Sequence, residues 1–114
     1  MNHIFLGSMI PFLVSAVIYF KRQHRASIPM LIITPLTMLL FSIWAVAPDI
    51  PRLLGMSDLY YRLSTDPRCN VFFWHYSIDM VETDSNIWAA GVLGLCVLLM
   101  WTAWRELSIS ERQK

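Results

Sequence analysis

Three stretches of this chain run free of Asp, Glu, Lys and Arg for long enough to cross a lipid bilayer: Ile4–Phe20 (17 residues), Ile28–Ala47 (20) and Ile87–Trp104 (18). A spanning helix needs about 20 mostly apolar residues, and about 17 suffice. The rest of the composition agrees. Of 114 residues, 56% are hydrophobic and 15% charged, where a soluble chain carries about a quarter charged residues. A domain this small could not bury so much apolar side chain in its own core. A soluble enzyme, a disordered regulator and a basic nucleic-acid binder are thereby excluded, and no nucleic-acid partner is expected. The expected fold is an all-α integral membrane protein forming a single membrane domain over residues 1–114. Its transmembrane helices lie at about 4–20, 28–47 and 87–104. An extramembrane loop, 48–86, holds short amphipathic helices.

Details within the apolar runs fit a bilayer. Pro11, Pro29 and Pro35 lie within or at the ends of the first two runs, where membrane helices tolerate proline. Trp44, Trp88, Trp101 and Trp104 fall near run ends, at the depth that amphipathic rings prefer. Gly91 and Gly94 leave a small-residue notch on the third run, a contact surface for another helix. The first run reads as a retained helix rather than a cleaved leader, because no basic region precedes it and Lys21, Arg22 and Arg25 follow it.

Those three cations also orient the chain. Residues 48–86 carry Arg52, Arg62 and Arg68 against six carboxylates, a net −3, and the segment after Trp104 carries a net +1. Basic loops stay cytoplasmic. The expectation is a bacterial-type inner membrane protein with its N-terminus and acidic loop outside and its C-terminus in the cytoplasm. Cys69 in the loop and Cys96 in the middle of the third run read as free thiols, one at hydrocarbon depth and one not.

Loops as long as 48–86 are uncommon without structure or function. Asp49 followed by Pro51 has the form of a helix start, a carboxylate ahead of a first-turn proline. It predicts a short helix through Leu53, Leu54, Leu59, Tyr60 and Leu63. Ser64-Thr65-Asp66-Pro67 reads as a turn. If Asn70–Glu82 is helical, Phe72, His75, Asp79 and Glu82 share one face at spacings of three, four and three. The Phe72-Phe73-Trp74 run then offers an apolar contact surface.

With this topology His3, Asp49, His75 and Asp79 all reach the same membrane face. Imidazole and carboxylate together suit a divalent ion such as zinc, iron or manganese. An ion with an open position activates water near neutral pH, and Glu82 is placed to act as general base. A histidine among Phe72, Phe73, Trp74 and Tyr76 also suits axial ligation of a tetrapyrrole. Ordinary readings stand beside these. His75 and Asp79 could be a surface pair worth about 0.3–0.5 kcal/mol, Asp49 a helix cap paired with Arg52, and His3 an interfacial residue.

His3 opening the first helix, the Pro48-Asp49 step closing the second and the later His75 resemble the small multi-helix membrane-bound metal-dependent hydrolases of bacteria. Members of that family place a second aspartate after the Pro-Asp step and a serine beside the downstream histidine. Here Ile50 and Pro51 follow Asp49, and Tyr76 separates His75 from Ser77. The likeness spans residues 1–80 and implies metal-dependent hydrolysis. Two functions are therefore expected from different classes. The leading expectation is a non-catalytic accessory subunit of a larger membrane complex, packed against partner subunits through Gly91, Gly94, Phe72, Phe73 and Trp74. The alternative is a membrane-embedded metal-dependent hydrolase with its His/Asp site on the outer face.

Overall fold

A computed structural model describes residues 1–81 and 85–113. Every regular element among them is helical. Three helices are long and apolar enough to cross a membrane: α1 (Asn2–Lys21), α2 (Ile28–Ala45) and, last in the chain, α6 (Asn86–Arg112). Between α2 and α6 run α3 (Ile50–Leu53), α4 (Ser57–Ser64) and α5 (His75–Val81), with 3-10 turns at Ala47–Asp49 and Pro67–Val71. The molecule is an elongated bundle of 59 × 25 × 23 Å.

The α1–α2 hairpin is the rigid part. Ser27 caps α2 by accepting from the Met30 amide, with Pro29 in the first turn. Apolar attraction between helices is weak in lipid, so close backbone approach and polar bridges hold them together. Both are present. A Cβ on Gly7 would sit 2.7 Å from the Phe41 carbonyl oxygen, so α1 and α2 touch nearly backbone to backbone there. Ser15 and Thr34 hydrogen-bond across the hairpin at 2.7 Å, and the Ser42 hydroxyl lies 3.3 Å from the Ile4 carbonyl and 2.7 Å from that of Met38.

Helix α6 rests chiefly on α1 and barely meets α2. The Phe5 ring fills the space beside Gly91, where a Cβ would come within 2.7 Å of it, whereas nothing lies within 4 Å of a Cβ on Gly94. The two halves of the expected notch therefore differ: Gly91 is used within the chain and Gly94 is open. At the end opposite His3, the buried Glu106 carboxylate draws Arg25 to 3.4 Å and Arg105 to 3.5 Å. Arg105 also donates to the Tyr19 hydroxyl and, at 2.8 Å, to the His24 carbonyl.

The 48–86 region departs from its expected local structure in three places. Helix formation after Asp49 breaks into α3 and α4, because the chain turns at Gly55 with φ +74°, a conformation glycine adopts without strain. The Asp49 carboxylate makes no cap to α3; it turns toward His75 instead. Phe72 does not share a helix with His75, since Phe73 (φ 53°) and Trp74 (φ 58°) are left-handed and α5 begins only after them. Phe72 packs on Trp44 and Phe73 stacks on Phe41, with centroids 4.8 and 5.4 Å apart, so only Trp74 of that run stays exposed. The Trp44 indole N–H also donates to the Val71 carbonyl at 3.2 Å.

Candidate metal centre

Four elements meet at the α1 N-terminus. His3 lies in the first turn of α1 and Asp49 closes the 3-10 turn after α2, where Pro48 is fully buried. His75 opens α5, and Asp79 follows one helical turn later on the same face. The aromatic pairs to Trp44 and Phe41 hold the segment leading into α5 against α2. Asn70 then fixes the start of α5, its side chain accepting from the Ser77 amide and donating to the Ser77 hydroxyl, each at 2.9 Å. Through these contacts His75 sits beneath the α2 exit, completely buried, with His3 only 5% exposed.

The two imidazoles stack with centroids 3.9 Å apart and planes 21° from parallel. Each is fixed by a hydrogen bond through one nitrogen only. His75 Nδ1 lies 2.9 Å from the Ala45 carbonyl, which can only accept, so Nδ1 carries the proton. His3 Nε2 lies 2.7 Å from Asp79 Oδ1, and donation to that carboxylate puts the proton on Nε2. In the neutral form of each ring the remaining lone pair lies on His3 Nδ1 and on His75 Nε2. Both are buried and lack a hydrogen-bond partner. An imidazole oriented by donation from its other nitrogen is the arrangement in which metals bind histidine.

A carboxylate completes the group. One ligand atom from each of His3, Asp49 and His75 lies within 4.8 Å of the others. Donors sharing one ion at about 2.1 Å would stand about 3.4 Å apart, so the widest separation would have to close by up to about 1.4 Å. His75 Nε2 stands 3.4 Å from Asp49 Oδ1 and 3.4 Å from Asp79 Oδ2. Burial alone would lower the His75 pKa, but the Asp49 carboxylate, the Ala45 carbonyl and Asp79 outweigh it and the value is raised. Burial likewise pushes Asp49 upward and is overcome by His75, so its carboxyl is held below the usual range.

All four residues singled out as ligands thus come together, with Asp79 beside the convergent group as the acceptor for His3. Glu82, the expected general base, lies outside the described residues. A tetrapyrrole does not fit: His75 is fully buried, one ring face is covered by His3, and its free nitrogen faces two carboxylates rather than a cavity. Sequence reasoning missed the Ala45 carbonyl, since a backbone acceptor leaves no mark on residue identity. It also missed the Glu106–Arg25–Arg105 cluster, signalled only by an acid and a base directly after the last apolar run.

No known protein family, curated protein or solved structure matches the chain.

Proposed function

We propose that this chain is a membrane-embedded, metal-dependent hydrolase whose divalent ion is held by His3, Asp49 and His75. The observation that carries this reading is a pair of buried ring nitrogens, His3 Nδ1 and His75 Nε2, that lack a hydrogen-bond partner while the other nitrogen of each ring has one. An unpaired buried polar atom costs about 1–3 kcal/mol, and two such nitrogens in one group with the Asp49 carboxylate are accounted for by a cation. A divalent ion held by these three donors would keep a position open, and it would supply a water acidified to a pKa of about 7.

The chain's own residues would do the rest. His3 and His75 stay neutral while bound, and Asp79 keeps His3 in the required tautomer. A carboxylate beyond the ligand set, Asp79 or Glu82 three residues on, takes the attacking water's proton. The water oxygen bonds to the carbonyl carbon or phosphorus of an ester. The bond to the leaving oxygen then breaks, its electron pair stays on that oxygen, and the proton is delivered there. By the distribution of basic residues the site opens on the outside of a bacterial inner membrane, with residues 48–86 extramembrane and the Lys21–Arg25 loop in the cytoplasm.

A non-catalytic accessory role in a larger membrane complex is the second reading. It is favoured by the open flank of α6 around Gly94 and by the exposed Trp74. Native mass spectrometry from mild detergent, with elemental analysis, separates the two. The hydrolase reading expects one divalent ion per chain, lost in His75→Ala and on chelation. A metal-free wild-type chain, unchanged in stability by zinc or chelator, would refute it. Recovery only within a fixed hetero-assembly would support the accessory role.

A further inference from the structure

A cavity of about 360 Å³ runs between α1, α2 and α6; none of His3, Asp49 and His75 lines it, but its upper end is close in the chain to His3 and Asp49. Its head is formed by Ile4, next to His3, and by Val46, next to the Ala45 carbonyl that holds His75. From Val46 it reaches down α2 to Pro35, eleven residues or about 16 Å of helix. Val92, Cys96 and Leu99 form its α6 wall. At Leu99 it adjoins a second apolar cavity of about 310 Å³ that continues toward the basic end.

The lining tells what this space can hold. It contains no charged side chain. Its only hydroxyls belong to Ser8 and Ser42, and both already donate to carbonyls of their own helices. Neither hydroxyl has a proton left to offer, and a lining this apolar holds water poorly. The volume is that of a ligand pocket. Because α6 barely meets α2, the cavity is partly open on that side, toward the hydrocarbon that surrounds the apolar helices.

Building on the metal-dependent hydrolase reading, we infer that the substrate is an acyl-chain lipid. Its chain lies in the cavity between Val46 and Leu99 and its ester region reaches the His3–Asp49–His75 group. The cavity recognises hydrocarbon only, and specificity for the bond cleaved belongs to the metal centre at its head. Seating the chain carries an ester from the bilayer to that end of the bundle without desolvating it first. Acyl and phosphoryl esters of one lipid share this placement, and the products tell them apart.

The test uses the full-length protein in phosphatidylethanolamine–phosphatidylglycerol vesicles containing a phosphatidylethanolamine with a photoactivatable diazirine in its acyl chain. Adducts are mapped by peptide mass spectrometry, and zinc per chain is measured on the same samples. Adducts should concentrate on the Pro35–Val46 and Val92–Leu99 walls and fall about tenfold in Val92→Trp, whose side chain takes up the space. Cys96→Trp is the second filling variant, and both should keep the wild-type zinc content and helicity. Zinc-loaded protein should release free fatty acid if the acyl ester is cut, or a phosphorylated headgroup if the phosphoester is cut. Adducts spread evenly over outward residues such as Leu13, Val17 and Leu107, indifferent to both variants, would overturn the inference. His75→Ala should lose zinc and keep the adducts, which separates the failures. A wild-type chain that forms the adducts but holds no zinc would refute the hydrolase reading, and the lipid would then be a structural filler rather than a substrate.

Discussion

Asp79→Asn tests the division of labour at the metal centre most directly. The carboxylate accepts from His3 Nε2 at 2.7 Å, a length typical of a charge-assisted bond, and this leaves Nδ1 free for the ion. Asparagine preserves the volume but removes the charge and permits the wrong tautomer. Loss of such an orienting partner typically costs 10–100-fold in metal affinity. The Asp79 side chain is 35% exposed, so solvent screens part of its effect, and the lower end, about tenfold or 1.4 kcal/mol, is expected. Zinc competition against a chromophoric chelator measures this directly. Thermal unfolding gives an independent reading. Zinc at 100 times the wild-type Kd stabilises that protein by about 2.7 kcal/mol, and the same concentration stabilises a tenfold weaker variant by about 1.4 kcal/mol. Wild-type affinity in Asp79→Asn would show that His3 needs no orienting acceptor. Complete loss of binding, matching His75→Ala, would make Asp79 a ligand, and the tautomer argument would fail.

Other perturbations probe the scaffold and the pair inside the site. Gly7→Ala forces a methyl to within 2.7 Å of a backbone oxygen and 3.0 Å of Ala45; it should cost about 1–3 kcal/mol and weaken zinc binding through the Ala45 carbonyl. Gly94→Ala, with open space around it, should leave stability unchanged or raise it by up to about 1 kcal/mol, as thermal unfolding in detergent would show. Glu106→Gln should destabilise the end opposite the metal by about 1–3 kcal/mol, since it weakens the contacts of two arginines at once. In the metal-free protein the Asp49–His75 pair adds pH dependence. The depressed Asp49 contributes stability above its unfolded pKa and loses it as pH falls through the folded value. The raised His75 contributes below its unfolded pKa and loses it as pH rises through the folded value. The contribution of this pair should therefore be greatest between about pH 4 and 6.5, and Asp49→Asn should flatten it.

The three long helices were legible because an uncharged run of 17 or more residues has few other fates. Their ends were less so. Helix α6 continues to Arg112, eight residues beyond Trp104, because charge ends the apolar run but not the helical hydrogen bonding. In the 48–86 region the turn chemistry won over periodicity. The spacing of Phe72, His75 and Asp79 is correct for a helix, yet backbone angles at Phe73 and Trp74 remove Phe72 from it, and no propensity of Phe or Trp foretells a left-handed pair. The candidate site was readable as residue types brought to one end by an even number of crossings between His3 and Asp49. The stack of His3 on His75 and the two proton assignments depend on tertiary distances, which one-dimensional spacing does not contain.

The left-handed turn at Phe73 and Trp74 has a bearing on affinity that the donor atoms alone do not reveal. Each such residue is held about 1–2 kcal/mol above its relaxed geometry, and the turn is what swings His75 under α2. Before any ion binds, molecules with the turn made would compete with molecules in which it is relaxed. If only the first kind offers three donors, the apparent affinity for an ion is the intrinsic one scaled by their fraction. The affinity of the proposed site would then be adjustable from a distance: Trp74→Asn, a residue at home in the left-handed region at an exposed position, should raise that fraction and tighten zinc binding in a competition assay while every ligand stayed the same.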